Sequence, residues 1–392
     1  MNKSIDSSII AWISFATMFV IGTDTFVVAP LLPTLSHIFN VPASMSGWMV
    51  SAYALGYACF ALISGPISDF MNRRNILLSG LIAFTVTTGL CGLSQGFWSM
   101  IVFRFLAGVS AAFVSPQIWA SIPLLVSQEK IVKTMGAATA GLAIAQIVGI
   151  PIGSYLAIIS WKLSFLSISF ASCILLVILF FLFPSLPNNN DNCKFSIIGV
   201  YNNLFKKSTL RMYMLGYLIF QTGNFEAISF IGSWLYKDFS MDLSSISKSM
   251  MAIGLGNAVG SLYGTRLVSC IGLHKSLFYS FIALIILYLV SPFAWNGTSV
   301  VLILSLAMMV AGFAFALFMS LLQSQAEGAR GTVSSLANAS MYIGATLGGI
   351  IGGILLTHTS SFFGVAGFTV SCYTISFFIY YTIGTFRQKK HI

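Results

Sequence analysis

The chain has 392 residues, of which 57% are hydrophobic and 7% charged, with a mean hydropathy of +0.92. A soluble domain carries about 25% charged residues, so the composition excludes a soluble globular protein and points to one that crosses a bilayer many times. The formal charge of +10 would suit nucleic acid, but the placement of the basic residues along the chain excludes that partner.

Apolar runs of spanning length occur at about 9–32, 46–67, 76–95, 97–122, 134–158, 161–183, 210–235, 246–271, 276–295, 298–322, 332–356 and 361–384. Each reaches the roughly 20 residues that a helix needs to cross the hydrocarbon core. The expected fold class is therefore an all-α integral membrane protein with twelve transmembrane helices. The first run starts within ten residues of the beginning and has no small-residue cleavage site behind it, so it reads as a retained helix. Short turns rich in Pro, Asn, Gln and Gly separate most runs, among them Pro33, Pro42, Asn72, Gln95, Asn296, Glu327 and Ser360. Residues 184–208 differ: they are polar, hold several Asn, and are too long for a turn between packed helices. They divide the chain into a six-helix bundle over 1–183, a linker over 184–208 and a six-helix bundle over 209–392. Within the linker, 197–205 reads as a short helix lying on the membrane surface.

With the N-terminus in the cytoplasm, every Lys and Arg falls on the cytoplasmic side except Lys162, Lys237 and Lys248 outside and Arg104 within a span. Such asymmetry sets orientation: both termini are expected in the cytoplasm of a multi-pass protein of the inner (plasma) membrane. The basic residues then face anionic lipid, with the bilayer as partner and no nucleic acid. The six cysteines are scattered without metal-ligand or disulfide spacing, so no metal is expected. No Ser/His/Asp set, phosphate loop or dinucleotide turn is present, so there are no catalytic residues and the protein does not read as an enzyme. His37, His274, His358 and His391 fall in turns or outside spans, which leaves no histidine relay.

The two halves repeat each other weakly. Gly149, Pro151 and Gly153 in the fifth span have a counterpart in Gly348 and Gly352 of the eleventh, and Gly22-Thr23-Asp24 of the first in Gly223-Asn224-Phe225-Glu226 of the seventh. Transporters built from repeats carry their site near the midplane between the halves.

Three charges sit well inside spans: Asp24, Arg104 and Glu226. A charged side chain there costs about 2.5–3.5 kcal/mol on insertion scales. At 1.5 Å per residue they lie about 12, 10 and 14 Å below the outer ends of their spans. Asp24 and Arg104 are expected to be neighbours, with Glu226 facing them from the other half. An apolar wall favours the neutral acid and a nearby guanidinium favours the carboxylate; moving the Arg, or binding a cationic substrate, then switches proton occupancy. The alternative is a permanent structural ion pair beside a silent Glu226. A substrate cavity is expected from Tyr53, Tyr57, Gln117, Gln146, Gln221, Asn224, Asn257, Asn338 and Tyr342, each of which also suits ordinary packing or an interhelical hydrogen bond.

Several motifs carry a resemblance. Gly65, Asp69, Arg73 and Arg74 lie at the cytoplasmic end of the second span and the turn after it. Arg104 and Gly108 mark the fourth span, and Gly141, Gly149, Pro151 and Gly153 the fifth. In these, and in Pro30, Pro33, Trp161 and Phe165, the whole chain resembles the major facilitator superfamily, specifically its twelve-span drug:proton antiporter group. Phe70 stands where that group has a basic residue, and Asn72 where it has Gly in a left-handed turn. Ile150 separates Gly149 from Pro151, and Ser154 replaces the final Gly, a form closer to the sugar-efflux-like branch. The resemblance implies two pseudo-symmetric six-helix bundles and a gating role for the Gly65–Arg74 turn and the Gly149–Gly153 segment. It further implies proton coupling through Arg104 and export of small amphipathic compounds in exchange for protons, with no cofactor but the proton gradient. A monomer is expected. A sugar or metabolite exporter is the rival within transport; a membrane sensor or lipid flippase is the rival outside it.

Overall fold

A computed structural model describes residues 6–41, 45, 48–186, 197–241, 243–264, 266–326, 328–359 and 362–386. Among them there is no strand. The expected turn residues Pro42, Glu327 and Ser360 lie outside the described residues, as do linker residues 187–196 with Cys193 and Lys194, and Lys3, Arg387, Lys389, Lys390 and His391.

The helices in the first half of the sequence are α1 (Ser7–Ile38), α2 (Trp48–Phe70), α3 (Arg73–Gly92), α4 (Phe97–Ala112), α5 (Ser115–Leu125), α6 (Ile131–Ile144), α7 (Ile150–Ile159), α8 (Trp161–Leu182) and α9 (Ile197–Lys206). The second half holds α10 (Ser208–Phe239), α11 (Leu243–Tyr263), α12 (Arg266–Ile271), α13 (Leu273–Val290), α14 (Gly297–Ser324), α15 (Arg330–His358) and α16 (Phe363–Thr382). Nine segments among the described residues are long and apolar enough to cross a membrane. The more polar α10, α11 and α15 run for 32, 21 and 29 residues. Together these helices stand at all twelve predicted spans.

In two of the predicted spans that become two helices, the sequence supplies the reason. The fourth span breaks after Ala112, and Pro116, which has no N–H to give, sits in the first turn of α5. The fifth breaks at a π-helical turn over Ala145–Gly149, followed by Pro151 in the first turn of α7. A π-turn inserts an extra residue into the helix and re-aims the turns beyond it. Asn72 has an extended backbone (φ −61°), not a left-handed one, and its side chain caps α3 by accepting from Arg74 N–H at 3.0 Å. Here Asn serves as a helix cap, and the turn needs no positive φ.

The chain forms two compact units. The first holds Met1–Asn202 with Ala326–Ala339, the second Asn203–Gln325 with Ser340–Ile392. The beginning of α15 thus belongs to the first unit and the rest of that helix to the second. In the first unit, α9 is docked by Tyr201, whose hydroxyl donates to the Leu62 carbonyl at 2.7 Å. The second unit has an aromatic core in which Phe220 stacks on Tyr373 with centroids 4.8 Å apart, and Phe281 and Phe318 stand edge to face at 5.7 Å.

Candidate functional site

The first unit buries an ion pair. Asp24 on α1 and Arg104 on α4 are both 0% exposed. Arg104 Nη1 donates to Asp24 Oδ2 at 2.8 Å, and Arg104 Nε to the Met49 carbonyl at 3.3 Å. The guanidinium carbon lies 4.4 Å from the centre of the Tyr53 ring, within cation–π range. Thr88 of α3 stands beside the carboxylate. Arg104 therefore does not snorkel to a surface; its charge is met inside the bundle.

Glycine makes this geometry possible. A Cβ at Gly108 would strike the Tyr53 carbonyl, and one at Gly56 the Phe105 carbonyl. With neither methyl present, α2 and α4 come into backbone contact, which brings Tyr53 and the Met49 carbonyl up to Arg104. Tyr53 also accepts from Thr25 Oγ1 at 3.1 Å, one residue beyond Asp24, and its ring leans on Tyr57 at 6.4 Å. Along α1, Gly149 faces Thr23 and Gly153 faces Val27, each without room for a methyl. Pro151 is exposed between them. The π-turn so abuts the residue next to Asp24.

A second polar cluster surrounds Asp69 at the end of α2. Its Oδ1 accepts from Arg73 Nη2 at 2.6 Å and Gly331 N–H at 2.8 Å; its Oδ2 accepts from Thr332 N–H at 2.9 Å and Thr332 Oγ1 at 2.7 Å. The carboxylate thus caps the first turn of α15, where unpaired N–H groups and the helix dipole favour an anion. Gly65 lies one turn back, where a Cβ would come 2.6 Å from Thr332 Cα. Ser64 Oγ stands 3.2 Å from Ser335 Oγ. Arg74 donates to the Phe180 carbonyl and lies over the Phe180 ring. Gly331 and Thr332 were not legible as partners of Asp69: the two segments are far apart in sequence, and a Gly-Thr pair opening a helix is common.

In the second unit, Glu226 on α10 is 0% exposed. Its Oε2 lies 2.7 Å from Thr369 Oγ1 on α16, and Gly348 and Gly352 of α15 pack on its backbone and side chain. Nearby, Asn224 Oδ1 accepts from the Tyr373 hydroxyl at 3.3 Å, and Gln221 Nε2 donates to the Tyr217 hydroxyl at 2.8 Å. Thr369 and Tyr373 were missed in the sequence because small and aromatic side chains fill every span.

The other expected cavity residues are dispersed. Gln117 on α5 is fully buried, and neither of its side-chain polar atoms has a hydrogen-bond partner among the described residues. Gln146 is exposed on the π-turn. Asn257 on α11 accepts from Ser261 Oγ at 3.4 Å, and Asn338 donates to the Ser334 carbonyl at 2.8 Å. Tyr342 is half-buried on α15. Asn338 belongs to the first unit and Tyr342 to the second. Among the described residues no group of three or more His, Cys, Asp or Glu could hold a metal ion.

Comparisons with known proteins agree with this architecture. The chain is 47% identical over 379 residues to an uncharacterized MFS-type transporter, YceJ, of Bacillus subtilis (strain 168), with 97% of each chain covered. It is 24% identical over 371 residues to a probable sugar efflux transporter of Pasteurella multocida (strain Pm70), covering 92% of this chain and 89% of that one. Multidrug resistance protein 1 of B. subtilis is 26% identical over 236 residues, 60% of either chain. Among solved structures, the E. coli fucose:proton symporter FucP superposes with a TM-score of 0.80 at 14% identity, over 97% of this chain and 99% of that one. The family model described as Major Facilitator Superfamily matches residues 14–349. Apolar helices of membrane-spanning length, charges buried inside spans and a family match over most of its length lead to one conclusion: the chain belongs to the major facilitator superfamily, whose members are membrane transporters of small molecules and not enzymes.

Proposed function

We propose that this protein exports small amphipathic compounds in exchange for protons by alternating access of its two halves. The observation that carries the reading is the Asp24–Arg104 pair, sealed from solvent and braced by Tyr53. An ion pair in that setting costs several kcal/mol per ion to desolvate. A proton arriving at Asp24 removes one of the two charges and frees the guanidinium to change partner, which is the switch an exchanger needs. A cationic or hydrogen-bonding substrate next to the pair would compete with the proton for Asp24. Glu226 is the second proton-carrying acid in this scheme.

Gly65, Asp69, Arg73 and Arg74 then act as the cytoplasmic gate. Releasing the first turn of α15 requires breaking the bonds that Asp69 makes to Gly331 and Thr332. Gly149, Pro151 and Gly153 set the path of the fifth span beside α1. Tyr53, Tyr57, Gln117, Gln146, Gln221, Asn224, Asn257, Asn338 and Tyr342 are the candidates for contact with substrate. The protein works as a monomer in the inner (plasma) membrane, both termini cytoplasmic. Its similarity to a protein named multidrug resistance protein 1 supports a drug-like substrate. The longer match to a probable sugar efflux transporter favours a second reading, a sugar or metabolite exporter.

Inside-out membrane vesicles test both. With a pH gradient imposed, addition of a substrate from a panel of lipophilic cations, antibiotics and sugars is expected to dissipate the gradient, and D24N to abolish that response at equal protein level. Dissipation by sugars alone selects the second reading. Accumulation that proceeds unchanged without a gradient, or unchanged in D24N, overturns the coupling role of Asp24.

A further inference from the structure

Glu226 is held differently from every other buried acid described. Asp24 and Asp69 each meet an arginine; Glu226 takes part in no salt bridge among the described residues, and its Oε1 has no hydrogen-bond partner among them. The titratable side chains close enough to feel it are Tyr288 of α13 and Cys372 and Tyr373 of α16. None is a cation. The basic residues of the packed helices lie at their ends: Arg211 and Lys237 of α10, Lys248 of α11, His274 and Lys275 of α13 and His358 of α15 are exposed, and Arg330 opens α15. Neither α14 nor α16 carries a charged residue.

The hydrogen-bond geometry suits a protonated acid. Thr369 Oγ1 lies 2.7 Å from Glu226 Oε2 and 3.3 Å from the Gly223 carbonyl oxygen. A hydroxyl has one proton to donate. If Glu226 were a carboxylate, that proton would go to Oε2 and leave Oε1 as a charged oxygen in the interior with no donor among the described residues. If Glu226 carries a proton, its own O–H donates to Thr369 Oγ1, and the threonine hydroxyl turns its proton to Gly223. Oε1 is then a neutral carbonyl oxygen, which costs far less to leave unpaired in an apolar interior than an oxygen of a carboxylate.

The third wall is α15. A Cβ at Gly348 would sit 2.8 Å from Glu226 N and 3.0 Å from Glu226 Cβ; one at Gly352 would sit 2.8 Å from Glu226 Cγ. Not even a methyl fits between this helix and the backbone and stem of Glu226, whose side chain is closed off from solvent. A buried carboxylate is stabilised by water, a cation or several donors, and Glu226 has one hydroxyl beside it and no cation among the described residues.

We propose that Glu226 is a proton-binding site belonging to the second unit alone, and that the bound proton keeps α15 seated on α10. Binding puts the proton on Oε2; release sends it to water that enters as Gly348 and Gly352 move off α10. Proton occupancy and the seating of α15 are thereby one equilibrium. The inference extends the role given to Glu226 above, but it needs neither Asp24 nor a transported substrate.

The test uses the full-length protein purified into liposomes. Infrared spectroscopy detects the carbonyl stretch of a protonated carboxyl group, which no peptide amide shares. We expect one such band to be lost in E226Q, kept in D24N, and shifted in T369V, where the hydrogen-bond partner is removed. Deuterium exchange of the amides around 344–352, corrected for the intrinsic effect of pH, should rise with pH in the wild type and lose that dependence in E226Q. A band that survives E226Q, or corrected exchange in the wild type that is flat with pH, overturns the proposal; T369V supplies the band test if E226Q does not accumulate. Should vesicle transport prove independent of protons while the band and the exchange behave as expected, the antiport reading falls and this site stands.

Discussion

The two units solve one problem in two ways. Each buries an acid on its first long helix, next to a glycine-lined neighbour: Gly149 and Gly153 against α1, Gly348 and Gly352 against α10. In the first unit the glycines face Thr23 and Val27, and Asp24 turns away to meet Arg104. In the second the glycines face Glu226 itself, which has a threonine and no arginine. An internal repeat therefore preserves the backbone seam while exchanging its electrostatics. One acid is balanced by a fixed charge and the other by hydrogen bonding alone, so disturbing either should have very different consequences.

The largest expected effect comes from that contrast. Asp24→Ala strands the Arg104 guanidinium inside the bundle, at a cost of about 3–5 kcal/mol, read as a much lower unfolding temperature in detergent. Glu226→Gln, which keeps shape and a neutral hydrogen bond, should stay within about 1 kcal/mol of wild type. Equal losses in the two would erase the distinction between the units.

Next comes Asp69→Ala, which removes a charged acceptor from Arg73, Gly331 and Thr332. Hydrogen bonds to charged groups are worth about 1.5–3 kcal/mol. The loss should appear as early proteolysis near residues 330–335 before the rest of the protein unfolds. Protection there that matches wild type would show that the carboxylate does not hold the helix start.

Neighbouring glycines supply the finest comparison. Gly348→Ala drives a methyl into α10 and should destabilise by about 1–3 kcal/mol as overpacking. At Gly349 nothing lies within 4 Å of an added Cβ, so Gly349→Ala should be neutral or stabilise by up to about 1 kcal/mol through helix propensity. Thermal unfolding of the two variants side by side measures the seam directly; the same sign for both would mean that α15 is not seated there.

Much of the fold was legible because the bilayer makes the rules coarse. A spanning helix must be apolar and about 20 residues long, so the twelve runs announced themselves. A charge within a span is so rare that Asp24, Arg104 and Glu226 stood out without any structure. Helical rise then put Asp24 and Arg104 at matching depth, and the structure joins them at 2.8 Å. The π-turn at Ala145–Gly149 was not legible, because Pro151 announces a bend without saying how the helix before it will yield. Nor was the use of Asn72 as a cap: the same residue suits a left-handed turn and an N-terminal cap, and only the path of the chain into α3 separates them.

By itself, then, the sequence determined which groups must be buried: the segments that cross the bilayer, the three charges that go with them, and the glycines that permit close approach. Those depend on transfer free energies and on side-chain size, which are local properties. The tertiary structure decided the partner of each buried charge. Arg104 meets Asp24, and Gly56 and Gly108 let α2 and α4 touch so that Tyr53 and the Met49 carbonyl complete its surroundings. Asp69 caps α15, whose first turn lies far along the chain. Glu226 is left with Thr369 and a glycine wall. Pairing depends on where distant helices cross, and no local property of the chain encodes that.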